Sequence, residues 1–175
     1  MGRQAMGHHT TQGVTTYDDD FYAWTQRQAK LLRALQSRRP DLPEELDIDH
    51  LAEEVEALGR AELRSVASLI RQIMFHLIKA ASEPEARARA HWLAKAVTFQ
   101  ADRPGYYAPS MRPLIDMDAI WRKARKLADA QLTEHGTSLP PGLSGSSPFS
   151  IDDMLVDDFD FDAALARLRS FAPSA

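Results

Sequence analysis

The chain contains no cysteine, so disulfide stapling, thiolate nucleophiles and cysteine-ligated zinc are excluded together. Long apolar runs are missing too. The most apolar stretch, Leu69 to Ala81, is broken by Arg71, Gln72, His76 and Lys79 and falls short of the ~18 uninterrupted apolar residues a membrane-spanning helix needs. Glycine-rich phosphate loops and nucleophile-elbow motifs do not occur. Nor is there an excess of basic charge: the formal net charge is −4 and the pI about 5.8, which disfavours nucleic acid as a partner. Met1 to Thr16 lack the basic start and apolar run of a secretory signal. Residues 1–16 read as a disordered tail, and His8 and His9 within it as a solvated pair without a third metal ligand. These exclusions favour a cytoplasmic protein that does not enter membranes.

What remains is globular in composition. Of 175 residues, 44% are hydrophobic and 26% charged, enough to build one core, so residues 17–175 read as a single domain. The acidity is terminal. Asp152, Asp153, Asp157, Asp158, Asp160 and Asp162 outweigh Arg167 and Arg169, leaving the first 149 residues formally neutral.

Apolar periodicity predicts helices throughout and no strand, hence an all-α, four-helix-type bundle with a short C-terminal helical strap. Asp18 to Asp20 precede a first helix over about 19–37, ended by Pro40 and Pro43. From the N-cap candidate Asp47, the positions Leu51, Val55, Leu58, Val66, Ile70, Ile73 and Leu77 predict the longest helix. Gly59 lies inside it, marking either a kink or the close approach of a neighbour. Glu83-Pro84 reads as the start of a third helix, and Ser110 as the start of a fourth that ends at Gly136. The strap opens with Ser150 as an N-cap, and Phe159 and Phe161 are expected to dock while the acids beside them stay in water.

Two groups of polar residues could carry chemistry. In the first, His50, Glu53 and Glu54 share a helix face beside Asp47, Asp49 and Glu56, so a nitrogen and two oxygens could converge on a metal; capping and solvation of an acidic helix start is the plainer reading. In the second, His76 sits in the apolar run Ile73 to Ile78 and needs a hydrogen-bond partner if buried, with Asp20, Glu54 and Glu56 as candidates. Arg71 and His76 also fit the spacing of a helical-nuclease motif, although five residues place them about 140° apart on a helix. Trp24, Trp92 and Trp121 fall on apolar stripes and read as packing. The basic run Arg122 to Lys126 reads as a solvated face.

Three segments resemble a bacterial family called "domain of unknown function 29". They are Tyr17 to Thr25, Leu46 to Arg60 with its Asp47-x-Asp49-His50-Leu51-Ala52-Glu53-Glu54 core, and His76-Leu77-Ile78-Lys79. Pro148-Phe149-Ser150 with Asp152 and Leu155 resembles the family's C-terminal signature. The chain departs from the family pattern at Ala80, where a tryptophan is common, at Gln100-Ala101 in place of Gln-Arg, and at Ser147-Pro148 in place of Cys-Pro. The resemblance implies an all-helical bundle of bacterial origin and no particular activity.

Asp20, Trp24, Asp47, His50, Glu53, Glu54 and His76 together make the candidate polar centre. No complete catalytic motif accompanies them and no cofactor is expected. The reading is therefore a non-catalytic protein-interaction module, with protein as partner and self-association included; the alternative is a small metal- or histidine-dependent hydrolase of nuclease-like kind.

Overall fold

The computed structural model describes residues 16–39, 41–43, 45–83, 85–102, 105–156 and 158–170. Helices α1 (Phe21–Arg38), α2 (Ile48–Ser82), α3 (Arg89–Asp102), α4 (Met117–Glu134), α5 (Ile151–Leu155) and α6 (Phe161–Arg169) are joined by loops and by a 3₁₀ helix, Pro109–Leu114. No strand occurs among the described residues, so the all-α expectation holds. The expected tail of residues 1–16 lies outside the described residues apart from Thr16.

Local side-chain chemistry sets most helix ends. Asp20, Asp47, Asp116 and Asp160 each accept the backbone N–H three residues on, satisfying a donor that the first helical turn leaves free. Ser150 and Asp153 form a reciprocal capping box around the start of α5. At the end of α4, Gly136 takes a φ of 74°, and the N–H groups of Gly136 and Thr137 return to the carbonyls of Thr133 and Leu132, a Schellman closure that needs the left-handed residue.

Two predicted starts are corrected. Glu83 does not open the third helix; it caps the C-terminus of α2 through its N–H to the Lys79 carbonyl, and α3 begins at Arg89 after a turn. Pro84 lies outside the described residues. Ser110 does not open the fourth helix either. Its hydroxyl and N–H both donate to Asp20, at 2.7 and 2.8 Å, so Pro109–Leu114 winds as a 3₁₀ segment and Asp116 caps α4 instead.

α2 is the axis of the molecule. α1, α3, α4 and α6 all pack on it, and its half from Val66 onward supplies Ile70, Ile73, Met74, Leu77 and Ile78 to the core, all fully buried. Trp121 of α4 is buried there too, its indole N–H donating to the Ser144 carbonyl at 2.9 Å. α6 adds Leu165 and Leu168, and Phe159 packs on Phe149 at 6.5 Å between ring centres. The strap thus docks on its own chain, aromatic side in.

The first part of α2, from Ile48 to about Gly59, pairs with α1 as an antiparallel hairpin. Ala29, Ile48 and Ala52 are buried between the two helices but stand outside the main core, which begins at Val66. The crossing is tight: a Cβ on Gly59 would lie 2.2 Å from the Thr25 hydroxyl, itself bonded to the Tyr22 carbonyl. Of the two readings of Gly59, close approach is therefore the right one, and α2 runs through it unbroken. Arg33 clamps the same pair with a two-bond contact to Glu56 at 2.7 and 3.1 Å. Glycine in an exposed helix interior normally costs about 1 kcal/mol relative to alanine, yet Gly59→Ala is expected to destabilise the protein by about 1–3 kcal/mol through overpacking. Chemical denaturation checks this, and Thr25→Ala is expected to relieve most of the loss in the double variant.

Candidate functional site

The start of α2 is acidic because an N-terminus favours negative charge, and the structure uses that charge locally. Asp47 Oδ1 takes the His50 N–H at 3.1 Å, and Asp47 Oδ2 meets His50 Nδ1 at 2.5 Å. Both side chains are largely in water, 61% and 79% exposed. The Asp47 carboxyl is held below its ordinary pKa by its bonds with the His50 ring and N–H, and the His50 ring is raised above its own by Asp47, then by Glu53 and Asp49. Glu53 and Glu54 are exposed. Because His50 turns back onto the cap, its ring does not join them, and no cluster of three or more potential metal ligands occurs among the described residues.

His76 lies at the other end of the rod. Glu54 and His76 are 22 positions apart on one helix, roughly 33 Å along the axis at ~1.5 Å per residue, so no carboxylate from the start of α2 can reach it. Its ring is half-buried, edge-on to Phe75 at 4.9 Å and stacked with Phe99 at 5.9 Å. Burial first, then the charges of Lys79, His91 and Lys95, push its pKa down to about 4. Nδ1 is buried without a hydrogen-bond partner. At neutral pH this is an uncharged ring in an aromatic contact beside cations.

One turn on, Lys79 is buried, with its ammonium 4.6 Å from the centre of the Trp92 ring and 5.4 Å from that of Phe75, donating to Gln131 Oε1 at 2.9 Å. The desolvated charge is balanced by two ring faces and an amide, and burial lowers its pKa. The family resemblance includes this position in its His76-Leu77-Ile78-Lys79 segment without indicating its role; three elements meet on its one side chain.

Asp20 and Trp24 belong to a third place. Asp20 is 8% exposed and ties the start of α1 to the 3₁₀ helix by the two bonds from Ser110. Trp24 forms an aromatic cluster with Tyr17 at 4.9 Å and Phe21 at 6.0 Å. Beside them, Asp18, Asp19, Glu62, Tyr106 and Tyr107 line a polar cleft of about 370 Å³. The seven residues of the candidate centre thus divide among three places: the acidic cap of α2, the aromatic contact of His76, and the Asp20 clasp. Ser110 was the residue missed, and nothing local to it signals a partner 90 positions away.

Two titrations report these environments. The His50 imidazole is expected to titrate above 6.5, the ordinary histidine value, and to return toward it in Asp47→Asn, as read by NMR. Its raised pKa contributes stability that is full below 6.5 and lost as pH rises through the folded-state value. His76 has the opposite sign. Its folded state binds fewer protons than the unfolded chain between about 4 and 6.5, so stability is retained above 6.5 and lost as pH falls toward 4. Denaturant melts across that window are expected to fall less steeply for His76→Phe than for the wild type.

Comparison with known proteins places the chain in a family without placing it in a pathway. A search of curated proteins finds no match. The crystal structure of an alpha-helical protein of unknown function from Rhodospirillum rubrum superposes with a TM-score of 0.86 at 43% sequence identity, covering 92% of this chain and all of that one. A family model described as domain of unknown function DUF29 matches residues 16–160, which hold the α2 cap, the Asp20 clasp and His76 alike. On that match over most of its length, the chain belongs to the DUF29 family.

Proposed function

We propose that this protein is a helical protein-interaction module that docks its partner on the α1–α2 hairpin. The observation that carries the reading is a row of leucines left in water on one side of that hairpin. Leu31 and Leu35 of α1 are 51% and 39% exposed, and Leu51 and Leu58 of α2 are 44% and 54% exposed. At 100° per residue these four side chains project from the same side of the antiparallel pair, opposite the Arg33–Glu56 clamp. Gln28, Leu32, Ala34 and Arg38 complete a shallow groove around Leu31 and Leu35. Single exposed leucines are ordinary on protein surfaces, whereas a contiguous strip rimmed by charge is the usual mark of a docking face.

Hydrolysis gains nothing from the same geometry. His76 has cations for neighbours rather than a carboxylate that would orient or charge it, and His50 is engaged with a cap.

Leu31→Asp with Leu58→Asp tests the reading, because both positions are exposed and the fold is expected to keep its melting temperature within a few degrees. Cross-linking and light scattering of the purified protein, alone and with lysate, are expected to show a complex that the double variant loses. A wild-type chain that forms no complex in either setting would overturn the proposal.

A further inference from the structure

The two helices of the hairpin carry opposite charge. α1 holds Arg27, Lys30, Arg33 and Arg38 and no acid, whereas Asp47 to Gly59 hold Asp47, Asp49, Glu53, Glu54 and Glu56 and neither lysine nor arginine. Only part of this opposition is used within the chain: Arg33 of α1 takes Glu56 of α2. By helical angle, Arg27 and Arg38 line the outer edge of the leucine strip on the α1 side, and Asp47 and Glu54 line it on the α2 side. The apolar face therefore has one basic border and one acidic border.

Resting on the reading of this face as an interaction surface, we infer that its occupant is a second copy of the same chain, bound about a two-fold axis parallel to the helices. Such an axis lays each α1 over the α2 of the other copy and sets basic border against acidic border twice. A two-fold axis across the helices would instead lay α1 on α1 and oppose like charges. The favoured arrangement makes every adjacent helix pair antiparallel, which is the up-and-down four-helix bundle, and it lets two hairpins bury against each other the leucines that each leaves in water.

The register follows from contacts within one hairpin. Thr25 lies against Gly59 and Arg33 against Glu56, so a residue of α1 is level with the residue of α2 whose number brings the sum to about 84–89. An axis parallel to the helices preserves level. Leu35 of one copy then meets Leu51 of the other, Leu31 meets Val55, and Arg38 comes to Asp47. Arg27 and Glu54, both exposed, are within a long side chain's reach of one another across the interface.

The experiment is sedimentation of the purified full-length chain together with two single charge reversals, Arg27→Glu and Glu54→Arg. The wild type is expected to dimerise, and each variant alone to self-associate at least about tenfold more weakly, since a reversal replaces two attractions by two repulsions. An equimolar mixture is expected to regain wild-type affinity, because the mixed pair restores both attractions and leaves Arg38 and Asp47 as they were. Circular dichroism of each variant should match the wild type. A wild-type chain monomeric at the highest concentration reached would overturn the second copy as occupant; if a foreign protein is then captured through Leu31 and Leu58, the interaction module stands without it. A dimer indifferent to both reversals, or a mixture that gains nothing, would overturn this axis and register.

Discussion

Everything else in the molecule depends on α2 remaining one helix. At ~1.5 Å per residue, Ile48–Ser82 is a rod of roughly 52 Å, and four other helices are arranged along it. Its second half is apolar on most sides and is wrapped by α3, α4 and α6. Its first half is apolar on two narrow stripes, one meeting α1 and the other meeting water. Continuity through Gly59 joins these halves: a glycine that would weaken an isolated helix is here the one residue small enough to let Thr25 pass.

That continuity also explains the fate of the candidate polar centre. Residues near in a sequence motif and placed on one helix invite the idea of a shared site, yet position along a rigid rod separates them as effectively as a domain boundary would. His50 and His76 occupy environments of opposite sign. One is a solvated ring raised by carboxylates, the other a half-buried ring lowered by desolvation and by lysines. The family motifs around them mark three structural jobs: capping a helix, clasping α1 to the 3₁₀ segment, and seating a buried ammonium between aromatic rings.

How far the fold could be read from sequence follows from how local each determinant is. Asp20, Asp47, Ser150 and Gly136 act on N–H or C=O groups within a turn of themselves, so the helix ends they set were legible. Ser110 has the composition of a cap and was read as one, but its hydroxyl is committed to Asp20, from the other end of the chain, and Asp116 takes over the task. Glu83-Pro84 failed for a related reason: both residues suit a helix start, and only the packing of α2 decides that the preceding helix still owns Glu83. The exposed leucines were hardest to see. Leu31, Leu35, Leu51 and Leu58 fit the apolar periodicity that predicts helices, and periodicity does not say whether a stripe meets the core or the solvent.

The clasp between Asp20 and Ser110 has a mechanical consequence for the hairpin. It fixes α1 near the body of the protein, while α1's far end and the start of α2 are secured mainly by one another. The pair is thus a cantilever, rooted at Asp20 and Val66, in which a given bending displaces a level more the farther it lies from the root. Leu35 and Leu51 sit farther out than Leu58, so any bend of the hairpin moves the outer leucines more than the inner one.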